Sequence, residues 1–321
     1  MVDWPRFTDS EILAARGPRH ELDVMRPWAF LVEPESSPAG TLDDVATIFL
    51  TNKECPIRCL MCDLWQNTTE GTVPAGAIPA QIDFALSQLP AARHIKLYNS
   101  ANFFDPLSIP VADYEAIARR VQGFESCIVE NHPKLCGDRV LRFRDQLLES
   151  HVQLEVALGL ESVHPDVLPR LNKQMTLDDF DRAVEFLVTE GIQVRSFVLL
   201  RPPFLSDQEG VEWAVRSVQH AFESGVSVCS VVPTRAENGI MQQIQQDGWF
   251  APPSLAAMEE TLERCQELAA TGQQRVFVDL WDADRFATCA VCAADRIQRL
   301  QRMNWNQRYE ESCESACCTG H

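Results

Sequence analysis

Short apolar runs of strand length recur along the chain, and polar segments with helical periodicity separate them. The apolar runs predict strands, because four to eight apolar residues between turn-forming residues fit a strand that is buried on both faces. The predicted strands span residues 45–50, 94–98, 126–129, 153–158, 193–200, 226–232 and 276–280. The segments between them predict helices over residues 79–89, 111–122, 141–149, 176–189, 209–223 and 255–269.

This alternation of strands and helices indicates the fold class. Six or seven βα units of this size give parallel strands joined by right-handed crossover helices, which favours an α/β protein with a full or partial TIM-type barrel. One helix boundary is visible in detail, since Thr176 followed by Asp179 resembles a capping box and Gly191 ends that helix.

The two ends of the chain differ from the alternating region. Residues 1–42 contain five prolines and little periodicity, so they predict an extended N-terminal extension with one short helix near residues 9–15. From about residue 282 the composition changes, and this segment holds five of the twelve cysteines. We therefore predict a barrel domain over residues 43–282 and a Cys-rich C-terminal segment over residues 283–321.

The composition excludes several classes of protein. With 45% hydrophobic and 23% charged residues, the chain is not disordered, collagen-like or a coiled coil. The 28 basic and 46 acidic residues give a formal charge of −18, which repels polyphosphates and disfavours a nucleic-acid partner. No apolar run approaches the roughly 20 residues of a membrane span, and no secretory signal is visible. We expect a cytoplasmic protein without a membrane partner.

The cysteines carry the clearest chemical signal. In a reducing compartment, cysteines at short spacing indicate metal binding rather than disulfides. Cys55, Cys59 and Cys62 form C-x3-C-x2-C in the loop after the first predicted strand, at the rim where barrel active sites collect. Three thiolates can hold three irons of a 4Fe-4S cluster and leave the fourth iron open to a substrate-like molecule. The alternatives are a zinc site, which usually has four ligands, or surface thiols.

The segment that holds these cysteines and three further segments resemble the radical S-adenosylmethionine (SAM) superfamily. The segments are KECPIRCLMCDLW, KLYNSANFFDP, GLESVHPDVLPRLNK and VRSFVLLRPPFLS, and they look like the MiaB/elongator-like branch. They look most like uncharacterised iron-sulfur enzymes related to the radical SAM protein of archaeosine synthesis. The resemblance covers about residues 43–282.

The resemblance implies a fold, a chemistry and partners. It implies a partial (β/α)6 barrel of the TIM type with a 4Fe-4S cluster on the three cysteines and SAM on the open iron. Such proteins cleave SAM reductively to a 5′-deoxyadenosyl radical, which abstracts a hydrogen from a substrate. The expected partners are an unidentified substrate and an electron donor such as flavodoxin or ferredoxin.

The resemblance also suggests residues that bind SAM. Asn99 and Ser100 stand where the superfamily often has a Gly-Gly-Glu-like segment that hydrogen-bonds the cofactor amino group, although the acid is missing here. A polar turn is the structural alternative. Glu161 matches the acid of the GLES segment and is expected near the ribose hydroxyls, the alternative being a solvated carboxylate. Met61 replaces a common aromatic residue, and its thioether can pack on an adenine face.

Two further candidates follow from the residues themselves. Glu130 ends the third predicted strand beside His132, where a rim carboxylate can hold substrate or position the cofactor. Arg201 follows the fifth predicted strand, and its planar guanidinium can pair with the cofactor carboxylate. The alternative for Arg201 is a surface ion pair.

The C-terminal cysteines indicate a second metal. Cys289 and Cys292 form one pair, and Cys313 and Cys317 form another after twenty residues. This spacing is close to a four-cysteine zinc pattern, and Fe-S clusters use similar ligands, so either metal fits. Thiols without metal are the alternative.

Arginines and aromatic residues alternate between the two cysteine pairs. They are Arg296, Arg299, Arg302, Trp305, Arg308 and Tyr309, on a predicted amphipathic helix. Such a helix can bind RNA or a phosphorylated substrate. The alternative, which the net charge favours, is a solvated helix face that neutralises the acidic barrel.

The sequence as a whole favours a radical SAM enzyme whose substrate is open. A tRNA-base-modifying enzyme is a rival, which the resemblance favours and the charge opposes. A non-catalytic iron-sulfur or electron-transfer protein is the rival from another class.

Overall fold

The computed structural model describes residues 4–269 and 274–311, which build one curved eight-stranded sheet in the order β1 to β8. Strands β2 to β8 are parallel, and β1 pairs antiparallel with β2. The strands are β1 Ala29–Ser36, β2 Leu42–Phe49, β3 His94–Tyr98, β4 Ser126–Asn131, β5 Gln153–Glu161, β6 Gln193–Leu200, β7 Val228–Pro233 and β8 Arg275–Val278. The expected α/β fold with a partial TIM-type barrel is confirmed.

Most of the α-helices lie between successive parallel strands, while the first precedes β1 and the last follows β8. The helices are α1 Asp9–Ala14, α2 Ala77–Leu86, α3 Tyr114–Val121, α4 Asp138–Leu148, α5 Leu177–Thr189, α6 Asp207–Ser224, α7 Gly239–Gln246, α8 Leu255–Ala269 and α9 Ala293–Asn306. The capping box of α5 is confirmed, because the Thr176 hydroxyl accepts from the Asp179 N–H and the Asp179 carboxylate accepts from the Thr176 N–H.

The sheet contains one strand more than the sequence predicted. The predicted N-terminal extension contributes β1, whose eight residues pair with the whole of β2. Pro34 lies within β1, and it is tolerated because β1 is an edge strand that needs no ladder bond on its outer side. The structure also adds α7 between β7 and α8. The other predicted strands and helices are present with small shifts of their ends.

The main hydrophobic core lies between the sheet and its helices. Alternate strand residues such as Ile95, Leu97 and Val156 are fully buried there. This packing follows from the period of two in a strand, which sends every second side chain to the helix layer. The remaining side chains point to the concave face of the sheet.

Buried charges fill the concave face near the amino ends of the parallel strands. Glu35 accepts from Lys96 at 2.6 Å and from Arg195 at 2.5 Å, and Arg195 donates to Glu155 at 2.6 Å. Burial raises the pKa of Glu35, but the charges of Arg195 and Lys96 outweigh burial and hold that pKa well below its usual value. We call these four residues the charged floor of the barrel.

Helix α9 covers the free edge of β8. The Asn304 side chain accepts from the Val278 N–H at 3.0 Å and donates to the Val278 carbonyl at 2.8 Å. The Gln307 side chain makes the same pair of bonds with Val276, at 2.8 and 2.9 Å. The two carboxamides thus take the place of a neighbouring strand. A carboxamide carries both an acceptor and donors, so it can pair with the N–H and the carbonyl that a strand edge leaves exposed.

Candidate active site

The loop between β2 and α2 carries Cys55, Cys59 and Cys62 at the carboxyl end of the sheet. Its backbone is held from two other connections of the barrel. The Leu60 N–H donates to the Leu171 carbonyl at 2.8 Å, and the Asn238 amide donates to the carbonyls of Leu60 and Cys62 at 3.0 and 2.9 Å. The structure therefore has the three cysteines at the rim, where the sequence predicted them.

The three cysteines are half-buried in the loop, and their thiols are shielded from water. Burial raises the pKa of Cys59 to about 12 and the pKa of Cys62 further above its usual value. Burial also raises the pKa of Cys55, against the hydrogen bonds from Ile57 and Asn102, which lower it. The Cys55 charge also raises the pKa of Cys59, and the charges of Cys59 and Cys55 raise that of Cys62.

This donor set fits a 4Fe-4S cluster. Burial and mutual repulsion disfavour free thiolates here, whereas positive iron would stabilise them. Within residues 4–269 and 274–311, no group of three or more Cys, His, Asp or Glu side chains could hold a single metal ion. A cluster does not require such convergence, because each cysteine binds its own iron.

A buried ion pair lies beside the thiols. Lys173 donates to Oε1 of Glu161 at 2.6 Å, and both side chains are buried at the end of β5. Burial lowers the pKa of Lys173, but the charges of Glu161 and Cys59 outweigh burial and raise it. Glu161 is therefore not the solvated carboxylate that the structural alternative describes.

His132 fixes the backbone beneath this ion pair. Its Nε2 lies 3.0 Å from the Lys173 carbonyl, and its Nδ1 accepts from the Lys134 N–H at 3.2 Å. Burial lowers the pKa of His132 to about 4, so the ring is neutral near pH 7. Since Nδ1 accepts, the proton is on Nε2, which donates to the Lys173 carbonyl.

The end of β3 places a free amide in the same region. The Asn99 side chain is 0% exposed, and neither its Nδ2 nor its Oδ1 has a hydrogen-bond partner among the described residues. Buried polar groups are nearly always paired, so this amide indicates a ligand. Glu130 accepts from the Asn99 N–H at 2.5 Å and orients this turn, in which Ser100 has a φ of 51°.

The carboxyl group of Glu130 is bound to backbone rather than open at the rim. Burial raises the pKa of Glu130 to about 7, although the N–H groups of Asn99, Ser100 and Ala101 lower it. The sequence left two roles open for Glu130, holding substrate or positioning the cofactor. Its backbone contacts support the positioning role.

Met61 and Arg201 lie at the margin of this arrangement. Met61 is half-buried against the hydrophobic cluster that contains Leu60 and Phe204, and Trp4 packs against the same cluster. The Arg201 guanidinium donates to the Pro252 carbonyl at 2.7 Å and pairs with Asp207 at 3.3 Å. The contacts of Arg201 support the ion-pair alternative, and the adenine contact of Met61 stays a prediction.

Sequence reasoning gave no role to two residues that contact the site. Lys173 is the last residue of the segment that begins with GLES, and Asn102 lies three residues beyond Asn99. The Asn102 amide donates to the Cys55 sulfur at 3.2 Å. Both residues lie inside segments that carry the resemblance. The partner of Asn102 is 47 residues away in another segment, whereas Lys173 pairs with Glu161 twelve residues earlier in its own segment.

The predicted second metal site is only half within the described residues. Cys289 and Cys292 lie between β8 and α9, and Cys292 is buried. Cys313 and Cys317 lie outside the described residues. A second metal stays a prediction.

The arginines of α9 are engaged by acids. Arg296 pairs with Glu259 at 2.5 Å and Arg299 pairs with Glu263 at 2.5 Å, both across the α8–α9 interface. Arg302 pairs with Glu310 at 2.8 Å. The expectation of a solvated face is wrong for Arg299, which is 1% exposed because it is packed between α8 and the backbone of Glu310. The pairing supports charge neutralisation by this helix.

None of the helices in the described part of the chain is both long and apolar enough to cross a membrane.

Comparisons with known proteins agree with the resemblance. No protein-family model matches the chain. An uncharacterized protein of Methanocaldococcus jannaschii is 22% identical over 260 residues, which cover 76% of this chain and 71% of that protein. Archaeosine synthase subunit beta of Thermococcus kodakarensis is 27% identical over 175 residues, covering 52% of this chain and 53% of the subunit. The match therefore spans about half the length of that subunit.

Solved structures share the fold. Elp3 of Methanocaldococcus infernus superposes with a TM-score of 0.50 and 15% identity, over 70% of this chain and 57% of Elp3. SuiB of Streptococcus suis, bound to its precursor peptide SuiA, gives a TM-score of 0.51 and 11% identity, over 71% and 47% of the two chains. Both are radical SAM enzymes. The chain is thus similar in sequence to archaeosine synthase subunit beta and has the fold of radical SAM enzymes, as its motifs predicted.

Proposed function

We propose that this chain is a radical SAM enzyme that holds a 4Fe-4S cluster on Cys55, Cys59 and Cys62. The observation that carries the proposal is a C-x3-C-x2-C set on one anchored rim loop, followed along the sheet by a turn that holds the unpartnered buried amide of Asn99 and the Asn102 donor to Cys55. Thiolates are the ligands that an iron-sulfur cluster needs, and a free amide can hydrogen-bond the methionine part of SAM.

The residues around the thiols have separate roles in this proposal. The three cysteines bind three irons, and the Asn99 amide hydrogen-bonds the amino or carboxylate group of SAM. Glu161 accepts hydrogen bonds from the ribose hydroxyls, while Lys173 balances the negative charge of Glu161 and the thiolates. When bound, the cluster supplies the electron that cleaves SAM to a 5′-deoxyadenosyl radical.

The concave face of the barrel suits a reactive species. Tyr98 contacts Phe49 and Phe197 there, with ring centroids 6.2 and 6.0 Å apart. Tyr98 lies two residues beyond Lys96 on β3, and Phe197 lies two residues beyond Arg195 on β6. Both rings are therefore nearer the carboxyl ends of the strands than the charged floor is. Aromatic side chains above a closed floor exclude water, which protects a radical from side reactions.

The test is reductive cleavage of SAM by the reconstituted protein. The protein is loaded anaerobically with iron and sulfide, reduced with dithionite in place of a ferredoxin or flavodoxin, and assayed for 5′-deoxyadenosine. We expect product from the wild type and from Cys136→Ala, because the Cys136 thiol contacts the Asn131 amide at 3.7 Å and packs against the main hydrophobic core. The triple variant Cys55→Ala, Cys59→Ala, Cys62→Ala is expected to give none.

A wild type that carries a full cluster and forms no 5′-deoxyadenosine contradicts the proposal. That result would favour the alternative of a non-catalytic iron-sulfur or electron-transfer protein. Iron content of the triple variant equal to that of the wild type would contradict the assignment of the ligands.

A second candidate function is modification of a tRNA base together with a partner subunit. Similarity to archaeosine synthase subunit beta favours it. The charge of −18 and the paired arginines of α9 oppose direct RNA binding. In a gel-shift titration with tRNA at physiological salt, a complex at micromolar protein supports this function, and the absence of a complex contradicts direct recognition of tRNA by this chain.

A further inference from the structure

The Cys55 sulfur accepts two hydrogen bonds. One comes from the backbone N–H of Ile57 at 3.4 Å, within the same loop. The other comes from Nδ2 of Asn102 at 3.2 Å, from the loop that follows β3. A short cysteine loop provides the first bond by its own geometry, whereas the second requires a side chain from a separate part of the barrel.

Asn102 is held where it can donate. Asn102 is 3% exposed, and its backbone carbonyl accepts from the Asp105 N–H at 3.1 Å. The next residue, Phe103, is fully buried, and its N–H donates to the Glu130 carbonyl at 2.9 Å. The turn therefore fixes the backbone on both sides of the amide, so the donor is oriented before any ligand binds.

The cations near the cysteines are paired with carboxylates, so a neutral hydrogen-bond donor can have a larger effect on the ligand sulfurs. Lys173 acts on both Cys55 and Cys59, and Arg58 also acts on Cys55. The Lys173 ammonium pairs with the Glu161 carboxylate at 2.6 Å, and the Arg58 guanidinium pairs with Glu54 at 3.1 Å. These ion pairs therefore add little net charge. Hydrogen bonds to ligand sulfurs, by contrast, stabilise the electron that a cluster gains on reduction and thereby raise its potential.

We propose that Asn102 is a positioning residue for the cluster, whose amide donates to the Cys55 sulfur and raises the reduction potential of the 4Fe-4S cluster. This inference rests on the proposed function. It gives the loop after β3 two separate roles, since Asn99 faces the SAM side and Asn102 faces the cluster side. The family resemblance assigned neither residue to the cluster.

The test is a redox titration of the reconstituted cluster without SAM, followed by electron paramagnetic resonance. Asn102→Ala removes the donor, and Asn102→Asp keeps the shape but replaces the donor by an acceptor. At a fixed potential we expect the ratio of reduced to oxidised cluster to fall about tenfold in Asn102→Ala, which is 59 mV for one electron. The fall in Asn102→Asp is expected to be larger because of the added charge.

Asn99→Ala is the matched control. It removes a neighbouring buried amide that does not donate to a cysteine, so the potential without SAM should stay at the wild-type value. A measurement on the wild type needs no substitution: with 15N-labelled asparagine, pulsed resonance of the reduced cluster should show a weak 15N coupling.

The outcomes separate the two proposals. A wild type that forms no 4Fe-4S cluster contradicts the proposed function. A fully loaded Asn102→Ala cluster with the wild-type potential contradicts the role of Asn102 alone. If the Asn102 variants load no iron, the labelled wild type decides, and the absence of a 15N coupling overturns the inference.

Discussion

Gly159 leaves room for the ion pair that lies over it. A Cβ atom at this position would be 2.2 Å from Oε1 of Glu161 and 2.3 Å from Nζ of Lys173, so alanine forces the pair to move. Both atoms are the far ends of flexible side chains, so the pair can shift as a unit without breaking. We therefore expect Gly159→Ala to lower the free energy of unfolding of the iron-free protein by about 1 kcal/mol, a typical size for a destabilising substitution, measured by urea denaturation.

Gly123→Ala is the matched control for this substitution. Nothing lies within 4 Å of a Cβ at Gly123, so a change within about 0.5 kcal/mol is expected. Equal losses in the two variants would show that the space above Gly159 is unimportant.

His132 links the site to the pH dependence of stability. Its pKa is lowered by burial to about 4 in the folded protein, against about 6.5 in the unfolded chain. Between these values the unfolded chain binds the extra proton, so this contribution to stability falls as the pH falls from 6.5 to 4. Relative to His132→Gln, which does not titrate, the wild type should lose about 1.4 kcal/mol for each pH unit in this window.

Urea denaturation of both proteins at several pH values measures this difference. Above pH 6.5 the difference should be constant, because both states of the wild type are neutral at His132. Parallel curves down to pH 4 would contradict a buried neutral imidazole.

The residues that the sequence could predict share one property. Cys55, Cys59 and Cys62 are close in sequence, and a capping box such as Thr176 with Asp179 is local as well. The contact of Asn102 with Cys55 joins residues 47 positions apart, and the Glu161–Lys173 pair depends on the bulge at the end of β5. Such contacts depend on the topology, so spacing alone does not reveal them.

At the scale of elements, the edge of β8 depends on two side chains of α9. Asn304 and Gln307 satisfy the N–H and carbonyl groups of Val278 and Val276. A buried donor or acceptor left unpaired costs about 1–3 kcal/mol. We expect Asn304→Ala with Gln307→Ala to lower the free energy of unfolding by roughly 3 kcal/mol and to accelerate amide hydrogen exchange at Val276 and Val278.

Asn306→Ala provides the control on the same helix. Asn306 is exposed and donates only to Glu310 at 3.4 Å among the described residues. Its replacement should leave exchange in β8 unchanged. Unchanged exchange in the double variant as well would mean that the carboxamides do not protect the strand.

The elements that the sequence did not predict have weak patterns of apolar and polar residues. Strand β1 begins with a four-residue apolar run at 29–32, but its second half contains Pro34 and three charged or polar side chains, so the run does not mark the whole strand. It forms because β2 offers a pairing edge on that side of the sheet. The parallel strands were predictable because burial on both faces demands apolar runs.

For the whole molecule, the charge of −18 implies repulsion between surface carboxylates. Salt screens exposed charges over a Debye length that shrinks from about 30 Å at 0.01 M to about 8 Å at 0.15 M. We expect the melting temperature to rise by roughly 2 °C over this range, equivalent to about 1 kcal/mol. A scanning fluorimetry series measures it, and a falling melting temperature would mean that attractive surface pairs outweigh the repulsion.

The charged floor has a consequence for the order in which the barrel is made. Glu35 and its partner Arg195 are 160 residues apart, and Lys96 is synthesised between them. A ribosome that adds about 5–20 residues per second leaves Glu35 without Arg195 for roughly 8 to 32 s. During that interval the nascent β1–β2 hairpin carries a carboxylate with an incomplete set of partners, which keeps the hairpin hydrated and delays closure of the barrel until β6 has emerged.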